Sequence, residues 1–128
     1  MGVRSVVIVE DEPETADMLV EMMRLIGFQT YSCPTGLKAV DLIAEKKPTT
    51  ILLDQMMPEL SGLEVLRSLR LDPRLRDIPV IIVSAKSMPA DMKEGLDAGA
   101  AYYLTKPISF VDLKSAVETV TSNLPGLS

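Results

Sequence analysis

The chain has 128 residues, of which 47% are hydrophobic and 24% are charged, a composition typical of one folded globular domain. Its formal net charge of -5 argues against sequence-independent nucleic-acid binding, which requires a basic face, so we expect no direct nucleic-acid partner. One cysteine and no histidine exclude an internal disulfide and a cysteine or histidine metal cluster, which leaves carboxylates, hydroxyls and lysines for any chemistry.

We predict a single domain over residues 1–128, with a core from about residue 4 to residue 122 and a frayed tail at residues 123–128. No apolar run approaches the roughly 18–20 residues of a membrane span, and the N-terminus lacks the pattern of a signal segment. We therefore expect a cytoplasmic protein that makes no membrane contact.

The first predicted element is a strand at residues 6–9, where a continuous β-branched run indicates burial on both faces. The run ends at the acidic residues 10–12. Pro13, a residue favoured at the first position of a helix, follows them. Apolar residues then recur at helical spacing and predict an amphipathic helix over residues 13–26.

Residues 28–33 alternate between apolar and polar side chains, which predicts a half-exposed strand at a sheet edge. The next segment opens with a proline and a glycine and predicts a second helix that ends near residue 46. We expect its inward side chains to be Leu37, Val40 and Ile43.

Three apolar residues at positions 51–53 end in the carboxylate of Asp54 and predict the central strand of a parallel sheet. Asp54 would then lie at the carboxyl edge of the sheet, where open α/β folds bind their ligands. A third helix is predicted over residues 62–71.

Residues 80–83 form another apolar run, which predicts a buried strand ending at Ser84. A fourth helix is predicted to start near Pro89, and Gly95 inside it costs about 1 kcal/mol relative to alanine. We therefore expect this helix to be the least firmly held. The side chains expected on its short apolar face are Met88, Met92 and Leu96.

Residues 101–105 predict a short last strand, and Ser109 is predicted to cap a fifth helix. The apolar stripe of that helix consists of Phe110, Leu113, Val117 and Val120. Strand and helix alternate five times, which predicts a parallel sheet with helices on both faces. The pattern favours a flavodoxin-like doubly wound α/β fold, a (βα)5 three-layer sandwich with strand order 2-1-3-4-5.

In this strand order, polar residues that end successive strands meet at one rim: Glu10, Asp11, Asp54, Ser84 and Lys106. Three crowded carboxylates raise one another's pKa unless a cation lies among them, and oxygen ligands suit Mg²⁺. Beside such an ion, Asp54 is a candidate nucleophile toward phosphorus. Lys106 and Ser84 are candidate partners for the phosphoryl oxygens.

Each of these residues also has a simpler interpretation. The acids at 10–12 could favour a helix start through its dipole, and Ser84 could bond to the backbone. Lys106 could be a solvated lysine, and Tyr103 could be a packing residue of an edge strand. Because each polar residue ends a successive apolar run at the same rim, we favour the functional interpretation.

Five motifs follow one another along the chain: Glu10-Asp11-Glu12-Pro13, Asp54-Gln55-Met56-Met57-Pro58 with Gly62, Ser84-Ala85, Gly99-Ala100, and Tyr103-Leu104-Thr105-Lys106-Pro107. Together they resemble the receiver domain of two-component response regulators, as found in bacterial phosphorelays. The resemblance extends from about Arg4 to Val120.

The resemblance implies that Asp54 accepts a phosphoryl group from a histidine kinase or phosphotransfer protein and that Mg²⁺ is required. It implies that Asp11 and Asp54 bind the ion directly. Glu10 would act through water, and the backbone carbonyl of Met56 would be a further ligand. Such a domain is a regulatory phosphoacceptor and not an enzyme with an external substrate.

The resemblance also implies that Ser84 and Tyr103 form a switch pair and that the Lys106–Pro107 peptide bond is cis. Phosphorylation would then change the surface formed by the fourth helix, the fifth strand and the fifth helix. Through this surface the domain would control a downstream protein or a fused output domain, or would pair with a second copy.

Two other classes of protein share part of this pattern. A phosphatase of the haloacid dehalogenase type needs a second acid two residues after the first, and that position is Met56. A flavin-binding module needs a phosphate-binding loop after the first strand, where the acids of this chain would repel a phosphate. We therefore favour the receiver interpretation over both.

Overall fold

The computed structural model describes residues 3–122. Within this range the strands are β1 (Ser5–Val9), β2 (Gln29–Cys33), β3 (Thr50–Asp54), β4 (Val80–Ser84) and β5 (Tyr102–Thr105). The α-helices of the same range are α1 (Pro13–Ile26), α2 (Ala39–Lys46), α3 (Gly62–Leu71), α4 (Pro89–Asp97) and α5 (Phe110–Thr121). The predicted frayed tail, residues 123–128, lies outside the described residues.

The strands form one parallel sheet in the order β2-β1-β3-β4-β5, which confirms the predicted fold class. Val9 pairs with Leu53 across β1 and β3, and Ser84 pairs with Thr105 across β4 and β5. The carboxyl ends of these strands are therefore aligned along one edge, where the residues that follow them can meet.

The sheet is buried between two layers of helices. All residues of β1, β3 and β4 are buried, and their side chains alternate between two apolar clusters. One cluster packs against α1 and α5, and the other packs against α2 and α3. Only the edge strand β2 is largely accessible among the strands of residues 3–122, as its alternating sequence predicts.

Helix ends follow ordinary capping chemistry. The α1 helix starts at Pro13 and ends at Gly27, which has φ 108 and donates its N–H to the carbonyls of Met23 and Arg24. The predicted cap at Ser109 is confirmed, because its hydroxyl accepts the N–H of Asp112. No helix within residues 3–122 is long and apolar enough to cross a membrane.

The prediction that Leu37 faces inward is wrong, because its residue is 58% exposed. Residues 36–38 form a separate 3₁₀ turn before α2, and three residues per turn place side chains differently from the α-helical spacing. Ala39 and Ile43 are fully buried instead, while Val40 is half-buried.

The predicted apolar face of α4 is also largely wrong, since Met88 is 66% exposed and Leu96 is 46% exposed. The helix packs so close to the sheet that only a glycine, Gly95, fits at the point of contact. A Cβ at Gly95 would lie 2.8 Å from Ile82 Cδ1 and 3.0 Å from Tyr103 Cδ2. Gly95 therefore permits the packing of α4, and Met92 adds a half-buried contact.

Arg70, at the end of α3, ties together the turns that precede β4 and β5. Its guanidinium donates hydrogen bonds of 2.9 and 3.0 Å to the Gly99 carbonyl, and further bonds of 2.8 and 3.0 Å to the carbonyls of Arg76 and Ile78. Burial lowers the pKa of Arg70, but a guanidinium keeps its charge. One side chain thus satisfies backbone acceptors that lie outside the sheet ladder.

We predict that Arg70→Met lowers the free energy of unfolding by about 2–3 kcal/mol, because it leaves these carbonyls without their charged donor. Urea denaturation measures the change. Arg67→Met is the matched control, since Arg67 is exposed one turn earlier on the same helix and should shift stability by less than about 0.5 kcal/mol. Equal effects of the two substitutions would contradict the role assigned to Arg70.

Candidate functional site

Three carboxylates converge at the carboxyl edge of the sheet. Asp54 is the last residue of β3, while Glu10 and Asp11 directly follow β1. Each residue offers one carboxylate oxygen, and these atoms all lie within 4.8 Å of one another. Glu10 and Asp54 are buried, and Asp11 is more exposed. The structure therefore brings together the acids that the sequence analysis places at one rim.

Backbone donors hold the two buried carboxylates in place. Asp54 Oδ1 accepts the N–H of Met56 at 3.1 Å, and Glu10 Oε2 accepts the N–H of Glu12 at 3.3 Å. The N–H of Glu10 itself donates to the Cys33 carbonyl at 3.0 Å, which extends the β1–β2 pairing by one residue. These bonds fix each acid close to the end of its strand.

Lys106 reaches the same cluster from the end of β5. Its backbone N–H donates to the Ser84 carbonyl at 2.8 Å, and the Lys106–Pro107 peptide bond is cis. The ammonium Nζ lies 3.0 Å from Glu10 Oε1 and 3.7 Å from Asp54 Oδ2. The amine predicted for this rim thus lies beside both buried carboxylates.

Negative charge exceeds positive charge in this cluster. Burial and the neighbouring Glu10 carboxyl together raise the pKa of Asp54 to about 7, against the opposing effects of the Met56 N–H and of Lys106. Burial alone would lower the pKa of Lys106, but Glu10 and Asp54 more than offset this and the pKa is raised. The ammonium therefore stays charged but does not neutralise three acids.

The donor set fits a hard divalent cation such as Mg²⁺. All three side chains offer oxygen atoms, which such ions prefer. Glu10 Oε1 is buried, and among residues 3–122 it faces the Lys106 ammonium at 3.0 Å, a single cation shared with Asp54. One ammonium faces three carboxylates, so an added cation would relieve the remaining repulsion among the acids.

Ser84, which is predicted for the rim, lies on β4, and Tyr103, its expected switch partner, lies on β5. Ser84 is fully buried, and its Oγ accepts the N–H of Lys86 at 3.1 Å. The Tyr103 ring is also buried, and its hydroxyl lies 2.7 Å from Gln55 Oε1 and 2.9 Å from the Lys86 carbonyl oxygen. Both residues thus contact the loop that follows β4.

Gln55 has a buried side chain that sequence reasoning missed as a site residue. The available signal was its polarity, because it directly follows Asp54 and precedes two methionines. No sequence pattern identifies its partner, Tyr103, which lies 48 positions away on β5.

Gly62 sets the position of the loop after Asp54. Its N–H donates to the Gln55 carbonyl at 3.0 Å, and a Cβ at this position would lie 2.3 Å from the Asp54 carbonyl oxygen. Only glycine allows the first residue of α3 to approach the strand end so closely. The helix start therefore fixes the backbone on the carboxyl side of Asp54.

The chain resembles known proteins along nearly its whole length. The family model for the response regulator receiver domain matches residues 6–118. The polar-differentiation response regulator DivK of Brucella anthropi is 39% identical over 121 residues, which cover 94% of this chain and 96% of that protein.

Solved structures agree with this similarity. The signal receiver domain of a signal transduction histidine kinase from Syntrophus aciditrophicus is 34% identical with a TM-score of 0.87, covering 98% of this chain and 95% of that one. The receiver domain of a sensor histidine kinase from Pseudomonas aeruginosa has a magnesium ion coordinated in its active site cleft. It is 26% identical with a TM-score of 0.86, covering 94% of this chain and 99% of that one.

The raised pKa of Asp54 predicts a stability that depends on pH. Because the folded state holds the Asp54 proton up to a pH of about 7 and the unfolded state releases it near 3.8, stability falls as the pH rises through this window. We predict that Asp54→Asn, which removes the charge but keeps the acceptor for Met56, stabilises the metal-free protein by about 1–3 kcal/mol at about pH 8 and by much less at about pH 4.

Urea denaturation in the presence of a chelator, at several pH values, measures this difference. Asp97→Asn is the control, since Asp97 is exposed at the far end of α4 and its loss should give no gain that grows with pH. If wild type and Asp54→Asn follow parallel pH profiles, the repulsion inferred for this cluster is wrong.

Proposed function

The chain belongs to the response regulator receiver domain family, whose members act in phosphorylation-dependent signalling, and we propose that Asp54 is its phosphoryl acceptor. One observation carries this proposal: Asp54 is a buried carboxylate at the sheet edge, with Glu10 and Asp11 beside it and Lys106 Nζ 3.7 Å away. A nucleophile, a set of metal ligands and a cation for the incoming charge are thus close together.

The proposed reaction is an attack by an Asp54 carboxylate oxygen on phosphorus. In a histidine kinase or phosphotransfer protein the P–N bond breaks, its electron pair stays on the imidazole nitrogen, and an acyl phosphate forms on Asp54. The ammonium of Lys106 would pair with one phosphoryl oxygen and the hydroxyl of Ser84 would donate to another. Water later cleaves the acyl phosphate and restores the carboxylate.

We assign the metal site to the same carboxylates. Asp11 and Asp54 would bind Mg²⁺ directly, Glu10 would act through water, and the Met56 carbonyl would be a further ligand. A bound cation supplies charge neutralisation to the phosphoryl oxygens. The convergence of three carboxylates beside a single ammonium, with its excess of negative charge, supports this assignment.

Ser84 and Tyr103 would report the phosphorylation state to the surface of α4, β5 and α5. The exposed apolar side chains of Met88 and Leu96 at α4 support a role for this surface in binding. Its partner would be a downstream protein, a fused output domain or a second copy of the chain. We propose a regulatory role without turnover of an external substrate, so phosphatase substrates should not be consumed catalytically.

We predict that wild type takes up one phosphoryl group from acetyl phosphate with Mg²⁺ and that Asp54→Asn takes up none, because the amide is not a nucleophile toward phosphorus. Intact-protein mass spectrometry measures the incorporation. Asp97→Asn makes the same chemical change on the exposed end of α4 and should incorporate phosphate at the wild-type rate. Unchanged incorporation in Asp54→Asn would refute the assignment.

We predict that Mg²⁺ stabilises wild type, by about 1 kcal/mol at a concentration several times its Kd. Asp11→Asn should lose most of this gain, since it removes one proposed direct ligand. Thermal unfolding with and without Mg²⁺ measures the effect, and Asp17→Asn on the exposed face of α1 is the matched control. A full Mg²⁺ response in Asp11→Asn would show that the ion binds elsewhere.

A further inference from the structure

Gln55, the residue after Asp54, makes a buried contact that the proposed reaction does not use. The residue is 3% exposed, and its Oε1 lies 2.7 Å from the Tyr103 hydroxyl. The same hydroxyl lies 2.9 Å from the carbonyl oxygen of Lys86. One phenol therefore contacts both the loop that follows β3 and the loop that follows β4.

The number of hydrogens available at this contact favours one arrangement of hydrogen bonds, in which Gln55 donates to Tyr103 and Tyr103 donates to Lys86. A phenol carries one hydrogen, so Tyr103 cannot donate to Gln55 and Lys86 together. Gln55 Nε2 is buried and has no hydrogen-bond partner among the described residues. Half a turn of the terminal amide exchanges two groups of similar size and lets its NH₂ donate to the phenol oxygen, while the phenol donates to Lys86. The amide oxygen then takes the unpartnered position, which a carbonyl tolerates better than an N–H group.

The packing of α4 also restricts the position of the Tyr103 ring. A Cβ at Gly95 would lie 3.0 Å from Cδ2 and 3.1 Å from Cε2 of Tyr103, so the ring fills space that α4 leaves open. Turning the ring toward solvent would break the contact with Gln55 and leave a buried amide without that partner, which is unfavourable. Helix packing and a polar contact thus hold one orientation of Tyr103.

We propose that Gln55 is a positioning residue that holds Tyr103 in its buried orientation and thereby couples Asp54 to α4. The inference rests on the proposed function of Asp54, because it describes how that acceptor is linked to the switch. This proposal takes the buried orientation of Tyr103 as the one that a phosphorylated Asp54 favours; because coupling between two sites is reciprocal, that orientation then also favours phosphorylation. Gln55 therefore biases the unphosphorylated chain toward phosphoryl acceptance.

Fluorine NMR of the full chain labelled with fluorotyrosine tests the positioning. The chain has three tyrosines, and the Tyr103 resonance is identified by its loss in Tyr103→Phe. Gln55→Leu keeps the approximate volume but removes the amide. It should move the Tyr103 resonance toward its solvent-exposed position and make it more sensitive to a soluble paramagnetic probe. Gln29→Leu, the same change on the exposed edge strand β2, should leave it unchanged.

The rate of phosphoryl uptake from acetyl phosphate tests the coupling. Gln55→Leu should lower this rate by about 3- to 10-fold, the range that one net hydrogen bond supports. In a Tyr103→Phe background the same substitution should have little further effect, because the phenol is already absent. Independent, multiplicative effects of the two substitutions would overturn the coupling.

The two measurements separate this inference from the proposed function. If wild type accepts phosphate but Gln55→Leu leaves the Tyr103 resonance in place, the positioning role is wrong and Asp54 remains the acceptor. If the resonance moves but wild type accepts no phosphate, the positioning of Tyr103 is supported and the function proposed for Asp54 fails.

Discussion

The crowding of three carboxylates at the end of two neighbouring buried strands is the constraint on which this structure depends. Strands β1 and β3 are buried on both faces, so the acids that end them cannot move apart without disturbing the sheet. Lys106 offsets part of the repulsion, yet burial and the Glu10 carboxyl still raise the pKa of Asp54 to about 7. The fold therefore holds an unfavourable charge arrangement in place, which is what the proposed binding of a cation and acceptance of a phosphoryl group would require.

The sequence predicted most of this arrangement because the buried strands of a parallel sheet have a simple sequence pattern. Continuous apolar runs identify strands buried on both faces, and the polar residue after each run marks the shared carboxyl edge. Glu10, Asp11 and Asp54 could be placed together for this reason. The errors fell where the backbone departs from ideal periodicity. Leu37 lies in a 3₁₀ turn, and the contact of α4 with the sheet depends on Gly95, which a search for large apolar side chains passes over.

Gln55 shows why the rest of the site could not be predicted. A local pattern specifies where a side chain begins, but the partner of Gln55 is set by the register of β3, β4 and β5 and by the depth of the Tyr103 ring. Arg70 is a similar case, since its acceptors lie in turns that come together only after the sheet forms. Buried polar contacts of this kind connect elements that are distant in sequence. They form only once the fold is in place, so a local sequence pattern cannot predict them.

Tyr103 supports α4 where few other side chains do. The helix exposes Leu96, and at Gly95 it packs so tightly against Ile82 and the Tyr103 ring that an added Cβ would lie within 3.1 Å of both. A helix that rests on so few apolar contacts belongs to the low-stability part of a fold, and its position depends on what lies beneath it. Because the hydroxyl of that ring contacts the residue next to Asp54, a change of charge at this proposed acceptor would need no long pathway to reach the surface. Two consecutive contacts, Gln55 with Tyr103 and Tyr103 with Gly95, span the distance.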